Sequence, residues 1–217
     1  MKLKIITENI TVKAETLTLT NQRAIFWKSE NALILSDVHI GKTAHFRKHG
    51  IPMPDGVLQN DLERLKQLVL YFNAQKLLIV GDLFHAEANV DMDTFQLWLN
   101  QFEDLQIVLI KGNHDRLSKN IVSKFDFEIE KELEISPFTF VHEHLKKHSE
   151  QFTISGHTHP GVRIKGKGKQ FLKLPCFQVS GHQIILPAFS LFTGLNTHSQ
   201  PKDSVCYAFT ETAIFKL

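Results

Sequence analysis

Five short apolar runs in this chain each stop at side chains able to hold a metal ion. Leu33-Ile34-Leu35-Ser36 leads into Asp37-Val38-His39, and Ile79-Val80 leads into Gly81-Asp82. Ile107-Val108-Leu109-Ile110 leads into Lys111-Gly112-Asn113-His114-Asp115. Phe138-Thr139-Phe140-Val141 leads into His142, and Phe152-Thr153-Ile154-Ser155 leads into Gly156-His157-Thr158-His159. A β-favouring run ending on a ligand reads as a strand that delivers it, and open α/β sheets gather ligands beyond the carboxyl ends of their strands. In extended backbone, residues two apart face the same side, so Asp37 with His39, and His157 with His159, are expected to enter one site as pairs. The pool is Asp37, His39, Asp82, Asn113, His142, His157 and His159. Imidazoles and oxygens without a thiolate suit manganese, iron or zinc over a closed structural zinc cage. Seven donors exceed the needs of one tetrahedral ion and match two divalent ions sharing a carboxylate, with Asp82 in the middle.

Taken singly, each of these residues has a plainer reading. An Asp after a strand is commonly a helix N-cap, and a loop His is usually a surface residue. Capping accounts for neither Asn-His nor His-x-His, so the coincidence of five strand ends carries the metal reading. A two-metal centre makes hydroxide from a bridging water at neutral pH and binds phosphoryl oxygens as a Lewis acid. The in-line attack that follows needs its developing charge spread over the site.

The elements that must position these residues are legible in part. Residues 1–36 read as β, with Ile10, Val12, Leu17 and Leu19 alternating with polar residues, and turns at Asn21-Gln22 and Ser29-Glu30-Asn31. The stretch from Ile40 to Gly50 is a basic loop or short helix, and Asp55 is placed to cap the helix that follows. In that helix Leu58, Leu62, Leu65, Val69 and Phe72 form one apolar stripe, while Asp61, Glu63, Arg64, Lys66 and Gln67 are expected to face water. A strand from Lys76 to Val80, a helix around Asp93 to Phe102 and a strand from Gln106 to Ile110 complete a β-α-β-α-β order that argues for a parallel sheet. Beyond about residue 121 the pattern is short strands and turns, expected to form a second sheet packed on the first. Arg163 to Lys169 reads as a hairpin tip.

The 217 residues fit one domain, 1–217, with 42% hydrophobic and 22% charged residues, as in a water-soluble globular protein. No apolar run approaches the roughly 20 residues that span a bilayer, and the first residues show no cleavable signal, so a cytoplasmic protein without membrane association is expected. Cys176 and Cys206 lie in apolar runs and are expected to be buried free thiols. A net charge of +2 permits a nucleic-acid partner without demanding one.

The set D-x-H, G-D, G-N-H-D, a lone His after a strand, and G-H-x-H, spanning Asp37 to His159, resembles the calcineurin-like metallophosphoesterase superfamily. That resemblance implies an α/β (α+β) fold of two mixed β-sheets sandwiched between helices, a four-layer sandwich. It implies one metal held by Asp37, His39, Asp82 and His159, and another held by Asp82, Asn113, His142 and His157, with His144 as the alternative to His142. His114 matches the family's catalytic histidine, which stabilises the phosphoryl charge or protonates the leaving oxygen as a general acid. Asp115 either orients that imidazole or caps the Leu117-Ser118 turn.

A closer resemblance rests on Asp37-Val38-His39-Ile40-Gly41-Lys42, Phe46-Arg47, Gly50-Ile51-Pro52 and Gly81-Asp82-Leu83-Phe84-His85. Leu186-Pro187-Ala188-Phe189 leading to Thr193-Gly194 adds to it. These resemble the bacterial ligase-associated DNA-damage-response endonuclease family, which implies a phosphodiester substrate, DNA among the candidates, and association with ligase or helicase repair proteins.

Lys42 and Arg47 follow the first ligand pair closely enough to bind substrate phosphate, with a solvated loop as the alternative. His45, His49 and His85 lie beside ligand segments and are expected at the surface, or at most behind the ligands or facing substrate. Arg163, Lys165, Lys167 and Lys169 alternate along an edge that could track a nucleic-acid backbone. Lacking interleaved aromatics, a solvated hairpin tip is the expectation there. The leading reading is a manganese-dependent phosphodiesterase acting as a nuclease in DNA repair, with iron or zinc as other metals. The alternatives are a hydrolase of small or lipid-linked pyrophosphates, and a non-catalytic scaffold of the same fold.

Overall fold

The apolar runs become strands, and the order in which they pair decides where their ends point. The structure, a computed structural model, describes residues 3–54, 56–85, 90–115, 125, 127–143, 151–201 and 203–217. Strands β1 (Thr7–Val12), β2 (Glu15–Thr20), β3 (Ile25–Trp27) and β4 (Ala32–Leu35) form an antiparallel meander. Its first turn falls at Lys13 and Ala14, both in the left-handed region (φ 51° and 67°), where no glycine or asparagine announces it. From β4 the sheet continues in parallel through β5 (Lys76–Val80), β6 (Gln106–Ile110) and β7 (Glu128–Glu130). Helices α1 (Lys42–Lys48) and α2 (Val57–Phe72) link β4 to β5, and α3 (Val90–Leu99) lies between β5 and β6. Parallel pairing brings the carboxyl ends of β4, β5 and β6 to one edge.

The second sheet repeats the device. Strand β10 (Phe152–Ser155) lies parallel to both β9 (Phe138–Val141) and β13 (Gln183–Ile185). Around this centre β8 (Leu133–Ile135), β12 (Phe171–Val179), β14 (Val205–Phe209) and β15 (Ile214–Lys216) add antiparallel neighbours, and β11 (Gly161–Lys165) pairs with β12. The five ligand-bearing runs are therefore strands β4, β5, β6, β9 and β10.

Side chains alternate across the first sheet and both faces are buried. Leu33, Leu35, Leu77, Ile79 and Leu109 meet Leu62, Leu65 and Phe95 of the helices. Ile34, Leu78, Val80, Val108 and Ile110 meet Phe138, Phe140, Phe152, Ile154 and Ile184 of the second sheet. Each such side chain stabilises the fold by about 1.5–3 kcal/mol relative to exposure. The expected pair of mixed sheets is present. Beyond the second sheet lies a small cluster of Leu174, Cys176, Cys206 and Ala208, to which no described helix contributes. Both cysteines are free and buried. No described helix is long and apolar enough to cross a membrane.

Helix α2 corrects one expectation. Leu58, Leu62, Leu65 and Val69 are buried as the stripe requires, but Asp61 and Arg64 are buried too, at 2% and 7% exposure. Arg64 donates to Asp61 at 2.6 Å, to the Phe189 carbonyl at 3.2 Å and to the Gln22 carbonyl at 3.1 Å. Arg23 donates to the Ala188 and Ser190 carbonyls at 2.9 Å each, and the Leu191 amide donates to Asp61 at 3.3 Å. The segment 188–191 has buried carbonyls that no strand satisfies, and two guanidinium groups supply the donors. Asp55 lies outside the described residues. Gly56, left-handed at φ 74°, opens the helix.

Candidate metal centre

At the site, the loops leaving β4 and β5 continue to bond each other after the strands end. The Asp37 amide donates to the Gly81 carbonyl at 3.0 Å, His39 to Asp82 at 3.0 Å, and Ile40 to Leu83 at 2.8 Å. From the other side Phe189 donates to Ser36 at 2.8 Å and Ser190 to Asp37 at 3.2 Å. The Arg64–Asp61 pair thus buttresses the segment that holds Asp37. The backbone here is not extended, as the same-face argument assumed. Asp37, His39, Asp82, His157 and His159 all have positive φ, at 57°, 55°, 52°, 67° and 49°. Each such residue costs about 1–2 kcal/mol, a strain that collects at functional sites.

Two groups of donors result, each with its ligand atoms within 4.8 Å of one another. In the first, Asp37, His39 and His159 meet. His159 Nε2 lies 2.9 Å from Asp37 Oδ1, and the His157 amide donates to Asp37 Oδ2 at 3.1 Å. In the second, Asp82, His142 and His157 meet. His142 Nε2 lies 3.2 Å from Asp82 Oδ2, while its Nδ1 lies 3.0 Å from the Val80 carbonyl. A carbonyl at Nδ1 fixes the tautomer that leaves Nε2 for a cation. His144, the alternative, lies outside the described residues. Asn113 is exposed, and its amide donates to Glu143 at 3.3 Å. Asp82 carries its carboxylate in the second group and its backbone against His39.

Both ring nitrogens of His39 are buried without a hydrogen-bond partner. Burial, with Lys42 adding to it, lowers the His39 pKa to about 3, so the ring is neutral with a free lone pair at neutral pH. An imidazole left this way in a protein interior calls for a partner, and a divalent cation held by His39, Asp37 and His159 would supply one. The residues fit the metals that the motif implies.

Glycines and one carboxylate set the close approach. A Cβ on Gly81, itself at φ 81°, would overlap the His142 ring, and a Cβ on Gly112 would overlap Asp82. Asp115, 1% exposed, neither orients His114 nor shows itself as a cap, because Leu117 and Ser118 lie outside the described residues. Its Oδ2 accepts from Asp82 at 2.9 Å and Gly112 at 2.7 Å, and its Oδ1 accepts from Phe84 at 2.8 Å. It clamps the β5 loop to the β6 loop, and burial raises its pKa against those three bonds.

His114 is exposed, its amide donating to Asp82 Oδ1 at 2.9 Å and its ring centred 5.9 Å from that of His39. Lys42 sits in α1. Burial lowers its pKa while Asp37 and Asp82 pull the other way, which puts its ammonium within electrostatic reach of both. Arg47, also in α1, is exposed and donates to the Pro54 carbonyl at 2.7 Å. His85 is the residue that the sequence reading undervalued. Its ring lies 5.6 Å from His39, 5.2 Å from His114 and 5.7 Å from His45, and burial lowers its pKa to about 4. Its place three residues after Asp82 in the same loop was the available signal. His49 is exposed, with Nδ1 2.8 Å from the His45 carbonyl.

The Asp82–His142 pair gives metal-free protein a pH signature. Burial alone would lower the His142 pKa, but the Asp82 carboxylate 3.2 Å from its Nε2 and the charge of Asp37 raise it from 6.5 to about 9. The folded state therefore binds the extra proton between those values, and the stability this contributes is complete below about 6.5 and lost as pH rises through about 9. Asp82 mirrors this: burial opposes its charge, His142 outweighs burial, and its pKa falls from 3.8 to about 2. Its contribution is present above 3.8 and lost as pH falls toward 2. In chelator, the melting temperature is expected to fall between pH 6.5 and 9.5, and His142→Gln to flatten that fall.

A family model described as calcineurin-like phosphoesterase matches residues 31–173. Among solved structures, the Pseudomonas putida nuclease MPE matches with a TM-score of 0.81 at 29% identity, covering 98% of this chain and 100% of that one. Yfce, a phosphoesterase from E. coli, matches with a TM-score of 0.44 at 17% identity, covering 81% of this chain and 87% of that one. No curated protein sequence matches. The family match runs through about two thirds of the chain and takes in every strand end from Asp37 to His159. By that match, and with two donor groups converging where the strands end, this chain belongs to the calcineurin-like phosphoesterase family and is a metal-dependent phosphoesterase.

Proposed function

We propose that this chain is a dinuclear phosphodiesterase that cleaves DNA. The observation that carries the reading is the pair of adjacent donor groups, Asp37/His39/His159 and Asp82/His142/His157, with the exposed ring of His114 beside them. Asp37, His39, Asp82 and His159 would hold one cation, and Asp82, Asn113, His142 and His157 the other. When bound, two such ions supply a deprotonated water at neutral pH and Lewis-acid binding of phosphoryl oxygens. The oxygen and nitrogen donors favour manganese, with iron and zinc compatible.

The chain's own residues do the rest. Lys42 holds a non-bridging phosphoryl oxygen by its charge. Arg47 joins it by exchanging the Pro54 carbonyl for a phosphate. His114, its backbone tied to Asp82, presents its ring to the leaving oxygen and delivers a proton there as a general acid. Asp115 and the 188–191 segment keep the loops in register. DNA as the substrate is supported by the likeness to a nuclease at 29% identity, and by the resemblance of segments such as Gly81-Asp82-Leu83-Phe84-His85 to ligase-associated endonucleases. On that reading the chain works in DNA repair beside ligase or helicase partners. A cytoplasmic location is supported by two buried cysteines that remain free. Residues 1–217 act as one domain, since the core between the two sheets draws its side chains from both.

The test strips the protein with chelator, reloads it with manganese, iron or zinc, and counts bound ions. It then assays a bis-aryl phosphodiester and nicked, single-stranded and duplex DNA. Two ions per chain with cleavage of at least one DNA is the expected result. Diester turnover without cleavage of any DNA would remove the nuclease assignment, and no turnover with any metal would remove the phosphodiesterase assignment.

A further inference from the structure

The β11–β12 ribbon leaves the metal-centre loop directly, because Gly161 follows His159 by two residues. Its register sets Arg163 opposite Lys173 and Lys165 opposite Phe171. Directly paired residues share a face, so Arg163, Lys165, Phe171 and Lys173 stand together on one side. All four are exposed, Phe171 at 49%. The Arg163 guanidinium lies 3.9 Å over the Phe171 ring centre, and the Lys173 ammonium is 5.9 Å from it. The tip adds Lys167 and Lys169, both exposed.

Two features set this face apart from an ordinary solvated hairpin. Like charges opposite each other on a ribbon destabilise it, yet Arg163 faces Lys173 with no carboxylate to offset them. Residues 151–202 contain no Asp or Glu, and among the described residues none of these cations is in an ion pair. The aromatic ring that the alternating run 163–169 lacks is supplied by the partner strand. A row of unpaired cations beside an exposed ring capped by a guanidinium meets both needs of an unpaired polynucleotide, phosphate neutralisation and a stacking surface for a base.

We propose that this face of the β11–β12 ribbon binds single-stranded nucleic acid and leads it toward the metal centre. Binding itself depends only on the ribbon. That the bound strand is also the substrate rests on the phosphodiesterase reading. Lys165, Lys173 and Arg163 take successive phosphates, and a base stacks against the Phe171–Arg163 pair. The ribbon's other face, with Ile164 and Leu172 exposed, makes an anionic lipid surface the competing partner, and the experiment includes it.

Fluorescence anisotropy of a labelled oligothymidylate is followed in chelator between 50 and 200 mM salt, so that binding is read without turnover. Arg163→Gln/Lys165→Gln/Lys173→Gln keeps the side-chain stems. It is expected to weaken binding and to flatten the plot of log affinity against log salt by about 0.7 for each cation removed. Phe171→Ala is expected to weaken binding roughly 5- to 150-fold with the salt slope unchanged, and Phe171→Tyr to restore it. The triple variant is expected to melt at or above the wild-type temperature, and all variants to keep bis-aryl phosphodiester turnover. Wild-type protein that binds the oligonucleotide but hydrolyses no ester would uphold the ribbon and remove the phosphodiesterase reading. Unchanged affinity and salt slope in the triple variant would overturn the proposal. So would wild-type binding to phosphatidylserine vesicles with none to the oligonucleotide.

Discussion

Asp82→Ala is expected to lose turnover by more than about a hundredfold, beyond what residues that merely orient metal ligands usually cost. Three consequences follow from one deleted carboxylate. The second donor group loses a negative charge that Asp82, with its pKa lowered to about 2, carries throughout the neutral range. His142, buried and raised to about 9 by that same carboxylate, is left without its partner. The His114 amide loses its acceptor, so the proposed general acid loses its anchor. Bound-metal counts by mass spectrometry are expected to fall with turnover. Asp82→Asn separates the effects, since an amide oxygen still accepts from His114 while the charge is gone. It should hold its melting temperature better than the Ala variant and still fail to retain two ions. Undiminished turnover in Asp82→Ala would sink the proposed site.

Asp115→Ala is expected to destabilise the protein by roughly 3–5 kcal/mol, because it strips the acceptor from three buried amides at once. The amides of Asp82, Phe84 and Gly112 lie in a region too crowded to readmit water easily, with Asp115 itself 1% exposed. Against a typical total of about 5–15 kcal/mol, this is a large share. The denaturant midpoint should drop while its slope stays constant. Turnover should fall as well, since Asp82 and Asn113 lie on the two loops that Asp115 joins. Asp115→Asn keeps one acceptor oxygen but turns an NH2 toward an amide, so it should fall between the two. A loss below about 1 kcal/mol would mean that Asp115 is not the clamp.

What could be read early is what is local. Each apolar run leads within three residues to a candidate ligand, and a run of four or five β-favouring residues marks its own end, so Asp37, Asp82, Asn113, His142 and His157 are legible as candidates without knowledge of any partner strand. The stripe on α2 was legible for the same reason, since its period belongs to the helix alone. What the stripe faces is not a property of the helix, and there the reading failed. Asp61 and Arg64 look like solvent-facing residues until the 188–191 segment arrives with carbonyls that need donors.

Asp115 shows the same limit, because the amides of Asp82 and Phe84 come from a strand end more than thirty residues earlier. Phe171 is a third case. It reads as one more strand residue until the register places it across from Lys165 and beneath Arg163. The left-handed turns at Asp37, His39, Asp82, His157 and His159 were invisible for a related reason, as they persist only where surrounding bonds hold a strained backbone. The strand ends, their donor side chains and the family chemistry those donors imply are thus written in the order of residues alone. Which donors group together, what clamps them, and which cations share a face with an aromatic ring emerge once the chain is folded. Those contacts form between segments far apart in the chain, where neither periodicity nor spacing carries information.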